Sequence, residues 1–224
     1  MDFASTLQTI LIYALPVLLA ITLHEAAHGY AALRLGDNTA YVLGRVTMNP
    51  LKHIDPMGTI AMPLLLYFAT SGAFLFGYAK PVPVNFGRLH NPKRDMVWVA
   101  LAGPASNLAQ AVLWSALLYV LVIVGLEDKF FMAMCKGGVL ANAVMFAFNL
   151  FPLPPLDGGR ILVGLLPYPY SYQVSRVEPW GFFIVMGLVI AGVVNTIWMS
   201  PVMGLTYDFL ELVLSPLRYL AKAT

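Results

Sequence analysis

The chain has 224 residues, of which 59% are hydrophobic and only 11% charged; its net charge is +2 and its mean hydropathy +0.76. A soluble domain carries about 25% charged residues, so this composition cannot cover a water-facing surface, and a disordered chain, a disulfide scaffold and a nucleic-acid binder are excluded. Cys135 is the only cysteine, which leaves no internal disulfide and no thiolate metal cluster, and the class indicated is an all-α polytopic membrane protein.

The first apolar segment runs from about residue 7 to 35 and ends at Gly36-Asp37-Asn38. It has no Lys or Arg before Arg34 and exceeds the apolar core of a leader, so it reads as a retained helix. A second stretch, 57–78, is less regular and contains Gly58, Pro63, Gly72 and Gly77. Lys80-Pro81-Val82-Pro83-Val84-Asn85 follows, with β-branched residues alternating with prolines, a pattern that suits an extended edge strand. Residues 97–126 are long enough to span, whereas 139–151 is short and runs into Pro152, Pro154 and Pro155. Segment 180–199 is a fifth candidate, and 203–220, which carries Asp208 and Glu211, either spans or lies at the interface. The expectation is one membrane-embedded domain over 1–224 with five to six hydrophobic segments. Its core lies at about 7–160, its C-terminal helices at about 180–222, and a small β element accompanies them. Trp98, Trp180 and Trp198 fall near segment ends, where an interfacial aromatic belt would sit.

His24-Glu25-Ala26-Ala27-His28 is an H-E-x-x-H sequence inside the first segment. Four residues advance a helix by about 400°, so the two imidazoles stand one turn apart on one face. So placed they can ligate one zinc ion, with Glu25 reaching a water at the metal as general base. The plainer alternative is a pair of interhelical histidines beside a glutamate paired to an arginine. Ionisable groups within an apolar segment are costly and mark function, which favours the metal.

A catalytic zinc takes three protein ligands and leaves a fourth position for water. Asp157, just beyond an apolar helix in Leu156-Asp157-Gly158-Gly159, is the best candidate, although Asp-Gly is also a turn signal. His53, in Asn49-Pro50-Leu51-Lys52-His53, is the rival; it also reads as a surface-loop histidine. His90 lies in a basic stretch and reads as solvated.

Three motifs now stand together. They are His24-Glu25-x-x-His28, then Gly103-Pro104-Ala105-Ser106-Asn107 in another apolar helix, and Asn149-x-x-Pro152 leading to Leu156-Asp157-Gly158. This combination resembles the site-2 protease family of intramembrane zinc metalloproteases. Gly44-Arg45-Val46, Asn49-Pro50-x-x-His53-x-Asp55-Pro56 and Lys80–Asn85 resemble a prokaryotic branch of it, and the expectation is a branch without the PDZ or CBS domain that members often carry, for which these 224 residues leave no room. The resemblance implies one Zn2+ held by His24, His28 and Asp157, with Glu25 activating the water. It implies that Asn107 and Asn149 hold the substrate backbone or polarise its carbonyl. It also implies that Lys80–Asn85 is a membrane-associated strand able to pair with an unwound transmembrane substrate.

Charge gives a separate vote on depth. If 57–78 returns to the side it left and the last two segments span, eleven of the thirteen Lys and Arg residues collect on one side, leaving only Lys129 and Lys136 opposite. The positive-inside rule then makes the crowded side cytoplasmic. The expected setting is a cell membrane, with the lipid bilayer and a transmembrane protein substrate as partners, no nucleic acid, and the site near the cytoplasmic face. Two other classes compete. A zinc transporter would need a polar path through the bilayer, and the outer halves of these segments are apolar with few acids. An inactive scaffold that binds membrane helices would have no use for Glu25.

Overall fold

A computed structural model describes residues 3–62, 65 and 80–223. Most of the 57–78 stretch therefore lies outside the described residues. What is described is helical: α1 (Phe3–Arg34), the short α2 (Thr39–Val42), α3 (Pro92–Ile123), α4 (Lys129–Asn149), α5 (Asp157–Leu165), α6 (Tyr170–Ser175), α7 (Glu178–Ile190), α8 (Ser200–Val213) and α9 (Ser215–Ala223). Helix α3 is the centre of the packing, with α1, α4 and α5 against it.

Three helices are long and apolar enough to cross a membrane, within Leu7–Arg34, Pro92–Ile123 and Lys129–Asn149. The third is longer than its apolar run because it starts at Lys129, where Asp128 accepts the N–H groups of Phe130 and Phe131 and caps it. Gly137 and Gly138, which interrupt that run, are points of close packing: the Tyr13 ring of α1 lies over Gly137 and Trp114 of α3 over Gly138. The expected segments at 180–199 and 203–220 are not two straight spans. Helix α7 ends at Ile190, Gly192 turns the chain at φ +73°, and 195–213 leaves at 83° to it, so the pair counts as one bent span at most. That makes three candidate spans, or four, among the described residues, where five to six segments were expected. Trp198 donates its indole N–H to the Ala147 carbonyl at 2.8 Å, tying the bend to α4 near that helix's end.

No strand occurs among the described residues. Residues 80–85 are instead held by scattered groups of the α1 end of the molecule. The Lys80 N–H donates to the His53 carbonyl at 3.0 Å, and the Asn85 N–H to Asp37 Oδ2 at 2.7 Å. A strand needs a neighbour whose backbone runs alongside it, and here the partners are mostly side chains. Lys80 thus stands at the same end of α1 as Arg45 and His53.

Candidate metal centre

Helix α1 carries His24 and His28 to the face that meets α3, and both are buried. Each imidazole donates from Nδ1 to an oxygen of α3. His24 Nδ1–H meets Asn107 Oδ1 at 2.6 Å and His28 Nδ1–H meets the Val99 carbonyl at 2.7 Å. A neutral imidazole that donates from Nδ1 carries its lone pair on Nε2. The two Nε2 atoms lie 3.0 Å apart, and each is 3.3 Å from Oδ2 of Asp157.

Asp157 is the first residue of α5, with Leu156 as its N-cap, so the Asp-Gly pair opens a helix and is not a free turn. Gly158 and Gly159 let that first turn press on the backbone of the loop before it. A Cβ on either would collide with the Leu150 carbonyl or the Pro154 nitrogen. That close fit sets where the carboxylate stands relative to α1.

Three electron-rich atoms therefore converge with no proton assigned between them. Asp157 Oδ2 is buried and accepts no hydrogen bond, a costly state for a carboxylate unless a cation sits against it. Donors at zinc-ligand distances around a tetrahedral ion stand about 3.3–3.5 Å from one another, and the observed triangle is of that size. The donor set, two imidazoles and one carboxylate, is that of a zinc site with one position left for water. The residues fit the metal.

Comparison with known proteins points the same way. Over 183 residues, 78% of each chain, the sequence is 38% identical to a Bacillus subtilis (strain 168) protein described as "Putative zinc metalloprotease YwhC". It is 30% identical over 199 residues, 86% of this chain and 71% of the relative, to "Putative zinc metalloprotease Rip2" of Mycolicibacterium smegmatis. The chain belongs to this zinc metalloprotease family. No family model matches it, and no solved structure does.

The metalloprotease's remaining expected residues divide. Asn107 is fully buried, and its amide is fully used: Nδ2 donates to the Ala20 carbonyl at 3.2 Å and to Asn142 Oδ1 at 3.0 Å, while Oδ1 takes the His24 proton. Asn142 in turn donates to the Gly138 carbonyl at 2.9 Å. Asn149 bonds within its own helix, to the Met145 carbonyl at 3.0 Å. His53 is not in the donor cluster; it is buried, not a surface histidine, and its Nε2 meets the Thr47 carbonyl at 3.0 Å. His90 is exposed, as expected.

Four contributors had no role at the site in the sequence, Gly103 having been named only as the first residue of its motif. Asn142 shares a helix face with Asn149 and reads as packing, yet it orients Asn107. Gly103 lies directly against both imidazoles, and a Cβ there would stand 2.6 Å from His24 Cε1 and closer still to the His28 ring. The Val99 carbonyl and the Val82 N–H are backbone atoms, which any residue would supply. The Val82 N–H donates to Oε2 of the half-buried Glu25 at 2.7 Å.

Proposed function

We propose that this chain is an intramembrane zinc endopeptidase of the site-2 protease type. It would hydrolyse peptide bonds within or near transmembrane segments of membrane-protein substrates, in regulated intramembrane proteolysis. One observation carries the reading: both histidines of the donor triangle lie inside a helix long and apolar enough to cross a bilayer and bond to a second such helix, while Asp157 meets them from the short α5. We read 1–224 as one such domain in the cell membrane, with its core at about 7–160. The charge asymmetry, eleven to two where the bent pair 178–213 returns to the side it left and nine to four where it crosses once, supports a site near the cytoplasmic face, as does the meeting of Lys80 with Arg45 and His53.

His24, His28 and Asp157 would hold one Zn2+ per chain. The bound ion lowers the pKa of water toward neutrality and polarises a carbonyl. Glu25 takes the proton from the attacking water and returns it to the leaving amine. Asn107 serves as a positioning residue: with both amide hydrogens engaged, it fixes the His24 tautomer and aims Nε2 inward. Asn149, at the end of α4, is assigned the substrate backbone. A membrane-embedded substrate helix must unwind to reach these groups, because its own hydrogen bonds otherwise shield the scissile peptide.

The test is purification in detergent with zinc analysis, followed by cleavage of a panel of single-span substrates. Wild type should carry one zinc and cleave. Glu25→Gln should keep the zinc and lose hydrolysis by about 100-fold or more. His24→Ala, His28→Ala and Asp157→Ala should lose both. Cleavage by Glu25→Gln at the wild-type rate would overturn the reading.

A further inference from the structure

Arg45 is buried at 9% exposure and forms no ion pair among the described residues, an expensive setting for a guanidinium. Its charge is spent on backbone. Nη2 donates to the Lys80 carbonyl at 2.8 Å and reaches the Pro81 carbonyl at 3.4 Å. The Pro81 carbonyl belongs to the same peptide group as the Val82 N–H, and in a trans peptide the two point in opposite directions. One edge of this peptide therefore faces Arg45 and the other donates to Glu25 Oε2 at 2.7 Å.

Two further features serve this arrangement. In Pro81-Val82-Pro83 the flanking prolines have no N–H, so Val82 supplies the one backbone donor of the triplet. Gly29 stands one helical turn after Glu25 on the same face of α1. A Cβ there would sit 3.1 Å from Val82 Cγ1 and 3.0 Å from Val46 Cγ2, so the absent side chain is what lets Val82 approach.

We propose that Arg45 and the Val82 peptide are the positioning apparatus of Glu25, an inference that rests on Glu25 being the general base. Arg45 orients and polarises the peptide, and the Val82 N–H grips one carboxylate oxygen. The other oxygen is left to face the attacking water. A charged donor at one end of the peptide and a carboxylate at the other reinforce both hydrogen bonds.

The test compares two pairs of full-length variants in detergent, each measured for zinc content, kcat and KM. Val82→Ala trims the side chain and keeps the N–H, whereas Val82→Pro also removes the N–H. The expected kcat for Val82→Pro lies about tenfold or more below that of Val82→Ala. KM should agree within about twofold, since a misplaced base acts on the chemical step and not on binding, and zinc should be equal in both. Arg45→Met should lose kcat to a similar degree, and Arg45→Lys, which keeps a charged donor, should recover part of it. If Val82→Pro fails to retain zinc, the Arg45 pair decides. Equal kcat in the two Val82 variants, or Arg45→Lys no better than Arg45→Met, overturns the proposal while leaving the protease reading standing. A wild type with neither zinc nor cleavage would overturn both.

Discussion

Two sides of one helix turn are built by different means. His24 and His28 are held from within the helical packing, by Asn107 and the Val99 carbonyl of α3 and opposite Asp157 of α5. Glu25, adjacent to His24 in the chain, is held from outside it, by the non-helical residues 80–82. The imidazole side inherits the rigidity of close-packed helices. The carboxylate side depends on a segment fixed by a few hydrogen bonds. Metal binding and hydrolysis should therefore be separable by mutation, although their residues are neighbours.

The largest effect is expected at Gly103, where α3 touches both rings. Gly103→Ala inserts a methyl group into the imidazoles, and zinc affinity should fall by more than about 100-fold, with activity lost alongside. Metal titration checks it; near-normal affinity would mean that the packing can yield. Next comes Asn107→Ala, which strips the partner from His24 Nδ1–H and from buried Asn142. Zinc affinity should drop about 10- to 100-fold, and stability by about 1–3 kcal/mol, read by metal competition and thermal unfolding.

On the other side, Gly29→Ala should do the reverse. It crowds Val82 and Val46 at 3.0–3.1 Å, so kcat should fall about tenfold with zinc content unchanged. Zinc loss in this variant would blur the distinction between the two sides. The smallest effect concerns Asp37, which anchors the same segment. Burial alone would raise its pKa. The Thr39 hydroxyl and N–H, the Asn85 N–H and the Arg88 charge outweigh that and hold the carboxyl below its ordinary value of 3.8. A depressed folded-state pKa stabilises above the unfolded value and is lost as pH falls through the folded one. Residues 80–90 should thus stay protected from proteolysis at neutral pH and loosen only below about pH 4. In Asp37→Asn that acid step should be absent.

Much of the metal site was legible because it is local. His24, Glu25 and His28 share one helical turn, and helix geometry converts their spacing into proximity. Asp157 was harder. The sequence put it ahead of His53 as the third ligand but left it level with a plain Asp-Gly turn, and only the packing of Gly158 and Gly159 on the preceding loop sets it opposite the imidazoles. Residues 80–85 read as a strand from alternation, but alternation cannot reveal that Asp37 and Glu25 take the N–H groups a neighbouring strand would have taken. The segment at 139–151 read as short from its apolar run, but α4 extends back to Lys129, with Gly137 and Gly138 as seats for Tyr13 and Trp114.

By itself the sequence determined the apolar, helical character of the chain and the pairing of two histidines with a glutamate on one turn. These depend on composition and on helix period, both properties of the chain read locally. The tertiary structure decided which carboxylate completes the triangle, which imidazole nitrogen faces it, and what grips Glu25. Those outcomes join residues from 57 positions apart (Glu25 and Val82) to 133 (His24 and Asp157), through carbonyls, amides and the empty space beside glycines. Every residue carries a carbonyl and nearly every one an N–H, so no side-chain pattern announces which of them will be used until the helices have packed.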